Sequence, residues 1–208
     1  MVAEISVQTN LKEFEKGLST FAYRQLPFAT SLALNSIAGI VQREEKAALH
    51  SVFDRPTPFT VNSVAVKPAR KDNLQAMVYV KDIASAYLQP YEFGGTNKLN
   101  SRALLKPVGA TLNQYGNLSK SKLAQLKARG DTFVGSVKGK NGEEIKGVWQ
   151  RTKASKGKPA GMKLLIRFAD AHKATQHWDY RTRAEQIVQG SFNFEMSAAL
   201  AKAMATAR

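Results

Sequence analysis

The chain has 208 residues, 43% of them hydrophobic, and a net charge of +15, enough apolar material for a modest core and enough positive charge to imply a polyanionic partner or neighbourhood. The lack of cysteine excludes disulfides and thiolate metal sites, and His50, His172 and His177 are too few to suggest a histidine metal centre. No apolar run of about 18 residues marks a membrane span, and Met1-Val2-Ala3-Glu4-Ile5 lacks the basic-then-apolar pattern of a secretory signal.

Asn10 with Glu13 three residues later reads as a capping box that opens a helix over roughly residues 11–24, with Leu11, Phe14, Leu18 and Phe21 (or Ala22) on one face. Pro27 suits the first turn of a second, long helix running to Val52, about 40 Å at 1.5 Å per residue. Its apolar stripe is Leu34, Ile37, Val41, Ala48 and Val52, with Arg43, Glu45 and Lys46 assigned to solvent. The run Phe53-Asp54-Arg55-Pro56-Thr57-Pro58-Phe59-Thr60 then ends it. Two prolines in three residues remove two backbone donors and push Arg55 and Thr57 out of helical geometry, which makes a rigid corner.

Beyond the corner the period changes from helical to alternating. Val64–Lys67 and Gln75–Lys81 predict two strands joined by a charged loop, and Leu104–Val108 predicts a third, ended by Pro107. Between them the aromatic stretch from Tyr87 to Phe93 closes on Gly94-Gly95. Ser119–Ala128 reads as a short basic helix capped by Ser119. Thr132–Lys138, Gly147–Thr152 and Met162–Phe168 predict further strands, with a hairpin turn at Gly139-Lys140-Asn141-Gly142 and a second turn over 154–159. From Tyr180 to Ala207 the pattern is helical, with Val188, Phe192, Met196, Leu200 and Met204 at four-residue steps and Gly190 as a candidate break or kink.

Strands bracketed by helices give an α+β class: an N-terminal helix, a long second helix, a central, mostly antiparallel sheet with a basic loop-rich insertion, and a C-terminal helix. The expectation is one domain over 1–208, helical over 1–60, sheet over 61–170 with a basic irregular segment at 98–158, and the C-terminal helix over 171–208.

The charge is unevenly placed. Residues 1–60 carry six basic and six acidic side chains, whereas 98–158 carry fourteen basic against three acidic, a net +11. Eleven of the fourteen are lysine, while arginine is the residue suited to bidentate phosphate and base contacts, so a nucleic-acid contact here would be diffuse and salt-sensitive. The polyanion-facing candidates are Lys120, Lys122, Lys127, Arg129, Lys138, Lys140, Arg151, Lys153, Lys156 and Lys158. A solvated lysine surface, a face opposing acidic neighbouring subunits, and a surface close to nucleic acid all stay open. Arg55, Phe59, Tyr87, Tyr91 and Phe93 are the subunit-interface candidates, with base stacking as the alternative for the three aromatic residues around position 90. His172, His177, Asp170 and Trp178-Asp179-Tyr180 gather acid–base groups within eleven residues. They sit in one loop, without a phosphate cradle, nucleophile elbow or zincin spacing, so no enzyme activity, metal or cofactor is expected.

Taken together, these pieces resemble a tailed-phage virion protein of the group that holds minor tail protein Z and related tail-completion, neck or head–tail joining proteins. The resemblance covers roughly the first 110 residues. It rests on Ala33-Leu34-Asn35-Ser36-Ile37-Ala38, on the Phe53-to-Thr60 corner, on the strand from Ala76 to Asp82 and on Tyr91-Glu92-Phe93-Gly94-Gly95. It implies a non-catalytic structural subunit of the virion at or near the head–tail junction, assembled as a ring in the host bacterial cytoplasm. Its partners would be copies of itself and portal, neck or tail proteins, with packaged DNA close by and no membrane. The alternative is a non-specific nucleic-acid-binding protein that works through residues 98–158.

Overall fold

The computed structural model describes residues 25–96, 103–139, 141–155 and 159–206. The helix expected over 11–24 lies outside the described residues. In chain order the elements are α1 (Leu26–Val52), α2 (Pro58–Val61), β1 (Val64–Lys67), β2 (Met77–Val80), α3 (Asp82–Phe93), β3 (Gly95–Thr96), β4 (Leu104–Pro107), α4 (Lys122–Ala128), β5 (Thr132–Lys138), β6 (Glu144–Thr152), β7 (Gly161–Ala169), β8 (Lys173–Ala174) and α5 (Tyr180–Ala205). The fold is α+β, and among the described residues every strand pair in the three sheets is antiparallel.

The chain gathers into two compact units. Of the described residues, one unit holds those up to Ala48, Asn62–Lys81 and those from Asp179, and the other holds Leu49–Val61 and those of Asp82–Trp178. This differs from the single domain with parts at 1–60, 61–170 and 171–208. That partition followed the type of secondary structure along the chain, whereas each unit joins segments far apart in sequence.

In the first unit α1 and α5 meet through alanines one turn apart, Ala29 and Ala33 on one and Ala199 and Ala203 on the other, ringed by Phe28, Leu32, Met196 and Leu200. Such small side chains let two backbones approach closely. Hairpin β1–β2 is held to α1 by amide side chains: Asn35 Nδ2 donates to the Ala69 carbonyl (3.0 Å), the Ala69 N–H donates to Asn35 Oδ1 (2.7 Å), and Gln42 Nε2 donates to the Val64 carbonyl (2.9 Å). Glu45 is buried, not solvent-facing as assigned from its charge, and it accepts a hydrogen bond from Arg183 Nη1 at 2.8 Å. Its place follows from spacing: Glu45 is one turn from buried Val41 and one turn from buried Leu49, so the stripe passes through it. The guanidinium from α5 satisfies a charge that would otherwise be several kcal/mol too costly to bury.

Of the α5 stripe read at four-residue steps, Met196 and Leu200 pack against the alanine seam. Val188, Phe192 and Met204 stay exposed, while Ala199 and Ala203 are buried. Each four-residue step advances the helical angle by about 40°, so five such residues wind around the helix instead of lining one side. The helix runs unbroken through Gly190.

The second unit is built on a four-stranded sheet in the order β4-β7-β6-β5. Residues 98–158 supply three of its four strands, β4, β5 and β6, with α4 and the loops around it between the first two. Of the lysines and glycines described in this stretch, Lys106, Gly135, Lys138, Lys146 and Gly147 lie in the strands and the others lie between them. Helix α4 covers one face, with Leu123 and Leu126 against Val148, Leu165 and Ile166. A register shift at Val148/Trp149 brings the consecutive Leu165 and Ile166 into that same core. The cap of α4 is Ser121, without a side-chain capping bond, and Ser119 supplies only the carbonyl that accepts the Lys122 N–H. Thr132 Oγ1 donates to the Leu126 carbonyl and so ties α4 to β5.

The aromatic stretch around position 90 is helical, with Pro90 inside α3. A mid-helix proline forfeits a backbone bond and crowds the preceding turn. Burial of Ala84, Leu88 and Glu92 along one side, and of Pro90 itself, outweighs this local preference. The left-handed Gly94 and Gly95 then turn the chain out of the helix. At the corner, Thr57 Oγ1 accepts the Thr60 N–H (3.2 Å) and Pro58 occupies the first helical position of α2. Among the described residues no helix is long and apolar enough to cross a membrane.

Candidate assembly and polyanion surfaces

The five interface candidates all lie in the second unit and fall into two groups. Tyr87 and Tyr91 are built into it. The Tyr87 hydroxyl lies 3.0 Å from Thr60 Oγ1, and the Tyr91 ring meets Phe53 and His177 edge-on with centroids 5.1 Å apart in both pairs. The Tyr91 carbonyl also accepts the His177 and Trp178 N–H groups (2.9 and 3.0 Å). The Tyr91 ring is therefore engaged within the unit, and Tyr87 is half-buried. Phe59 and Phe93 point outward, 60% and 68% exposed, and Ile83, which the sequence reading did not single out, is 73% exposed. Arg55 pairs with its own neighbour Asp54 at 3.1 Å, both side chains exposed, and holds φ at +48°. It lies beside Gly116, whose positive φ closes the turn over Asn113–Asn117. An exposed pair of this kind adds little to stability.

The polyanion candidates do not form one cluster. Lys120, half-buried Lys122 and Lys127 go with α4, on the side of the sheet that the helix covers. Lys138 sits opposite Glu144 at the end of β5. Arg129 is spent on Asp131, with Nε and Nη2 donating to the two carboxylate oxygens (2.9 and 2.6 Å), and Gln150 Nε2 donates to the same carboxylate at 2.8 Å. These bonds hold the Asp131 carboxyl below its ordinary range. Lys153 is exposed beyond β6. Lys140, Lys156 and Lys158 lie outside the described residues. Arg151 stacks over the Phe133 ring, 4.8 Å from its centroid.

The strand register shows what the list of lysines did not. Cross-strand partners share a face, so the face opposite α4 carries Leu104 and Lys106 of β4, Ala169, Arg167, Leu164 and Met162 of β7, Ile145, Gly147, Trp149 and Arg151 of β6, and Phe133, Gly135 and Val137 of β5. None of these is acidic. Lys106 stands directly opposite Arg167, both are exposed, and neither has a carboxylate partner among the described residues. Like charges in such a pair destabilise a sheet by a few tenths of a kcal/mol to about 1. The apolar middle of the face packs on itself, with Phe133 over Gly135 and Leu164 over Gly147 in the space a Cβ would take. Trp149 is buried there, its Nε1 without a hydrogen-bond partner. Alternation in β7 could have flagged Arg167, but which face it shares depends on the register with β4.

Of the acid–base group near the C-terminal helix, His177 Nδ1 lies 2.7 Å from the Thr175 carbonyl oxygen and its ring packs on Tyr91 and Phe53. Among the described residues no three His, Asp or Glu side chains are placed to hold a metal. In the first unit a groove of about 380 Å³ lies among α1, β2 and α5, lined chiefly by Leu34, Ile37, Val41, Val78, Val188 and Phe192. Compared with protein-family models, curated proteins and solved structures, the chain matches none.

Proposed function

We propose that this chain is a structural subunit of a tailed-bacteriophage virion, a tail-completion, neck or minor tail protein that acts at the head–tail interface by binding copies of itself and neighbouring virion proteins, without catalysis. The single observation that carries the reading is the trio Phe59, Ile83 and Phe93, large apolar side chains held outward on short helices of the second unit. Displayed this way they suit the buried centre of a subunit contact better than a solvated surface. The similarity of residues 33–38, 53–60, 76–82 and 91–95 to the tail-completion group points the same way. The mass of the purified chain in solution tests it. A ring-sized oligomer that falls to monomer in the Phe59→Ser/Phe93→Ser variant supports the reading, and a wild-type monomer at every concentration, alone or with purified neck and portal proteins, overturns it.

The acid-free sheet face favours a second reading, non-specific binding to nucleic acid. The two are compatible in one molecule, since a subunit near the DNA passage can contact both proteins and phosphates.

A further inference from the structure

Resting on that second reading, we infer that the nucleic-acid contact is made by the sheet face carrying Lys106, Arg151 and Arg167, and that its ligand is the phosphate backbone of duplex DNA. The face presents three exposed cations and no acid over four strands. Lys106 and Arg167 are held side by side by the ladder itself, an arrangement that an anion between them relieves. Arg151 is fixed over Phe133 with its guanidinium edge free to donate. Arg151 pairs with Met162 and Arg167 pairs with Gly147, so the two arginines stand about 13 Å apart along the strands at roughly 3.3 Å per residue. That separation is close to the width of about 12 Å of a duplex major groove, so the two ends of the face can reach phosphates on both rims.

The aromatic side chains decide between duplex and single strand. A single-strand platform needs open rings on which bases stack. Here Trp149 is buried and Phe133 is already covered by Arg151, so bases find no free ring on this face. What remains available is charge, which reads backbone and not sequence.

The experiment measures binding of a short fluorescent duplex, a single strand of equal length and a poly-glutamate peptide across a salt series. Three phosphate contacts contribute about 2.7 to the slope of log affinity against log salt, a change of roughly 40-fold between 50 and 200 mM. The expected result is duplex binding with at least that slope, reduced by about 2.7 in the Lys106→Gln/Arg151→Gln/Arg167→Gln variant and unchanged in Lys120→Gln/Lys127→Gln. Thermal melting confirms that each variant is folded, and the single variants Lys106→Gln and Arg167→Gln serve if the triple variant is not. If duplex binding is lost in the Lys120/Lys127 pair and kept in the sheet-face variants, the nucleic-acid reading survives and this inference falls. No duplex binding by wild type, or tighter binding to poly-glutamate than to duplex, overturns both, the latter in favour of an acidic protein partner.

Discussion

At the scale of single residues, two polar side chains in this protein hold more than their own place. Asn35 uses both ends of its amide on one backbone unit, Ala69, which is buried. Leucine at position 35 would fill the volume while leaving a buried N–H and a buried carbonyl without partners. At about 1–3 kcal/mol for each orphaned group, Asn35→Leu is expected to cost about 2–6 kcal/mol, read as a shift in the urea midpoint at constant slope. Asp131 is the second. Its carboxyl is held down by Arg129 and by Gln150, so the folded state favours the ionised form more than the unfolded chain does. The stabilisation is present in full above the ordinary carboxylate pKa of about 4 and is lost as the pH falls through the lower folded value. Replacing Arg129 by Met should raise the Asp131 titration point in a carbon-detected NMR series and flatten the acid limb of the stability curve. An unchanged titration point would mean that Gln150 alone sets it.

At the scale of elements, two glycines make opposite predictions. Gly190 lies inside α5 with nothing near where a Cβ would sit. Gly190→Ala is therefore expected to stabilise the protein by about 0.5–1 kcal/mol, seen as a higher melting temperature. At Gly147 an added Cβ would collide with the Ile166 carbonyl and the Leu164 side chain. Because a backbone atom cannot swing aside, Gly147→Ala should push β6 and β7 apart and lower stability by about 1–3 kcal/mol or more. Elements with strong local signals were legible in the sequence: α1 from its periodicity, β1, β5 and β7 from alternation, and the corner from its prolines. What was not legible depended on distant partners. The stretch from Tyr87 to Phe93 reads only as aromatic-rich, its helix resting on the burial of Leu88 and Glu92, and the charge on Glu45 argues for solvent until α5 supplies Arg183. Arg151 was named among the cations from its segment, but Lys106 and Arg167 became its companions only through the pairing of β4, β7 and β6. Sequence carries composition well and register poorly.

At the scale of the whole molecule, the interleaving of the two units sets how each depends on the chain. The second unit draws on Leu49–Val61 and on one continuous stretch, Asp82–Trp178, whereas the first needs α5 to complete the cluster around Ala29 and Ala33. A chain stopped after Trp178 is expected to keep a protease-resistant fragment containing β4 to β7 while α1 becomes cleavable. Loss of protection across the sheet as well would show that the units fold only together. This arrangement also orders events in time. While a ribosome adds the roughly one hundred residues between Lys81 and Asp179, about 5–20 s at ordinary elongation rates, the alanine seam of α1 waits without the helix that covers it. The second unit can close during that interval, and the first can close only when the last described helix emerges. A newborn chain therefore spends its longest vulnerable period with the first unit open, which is when a chaperone, or α5 of another copy of the chain, has its opportunity to bind.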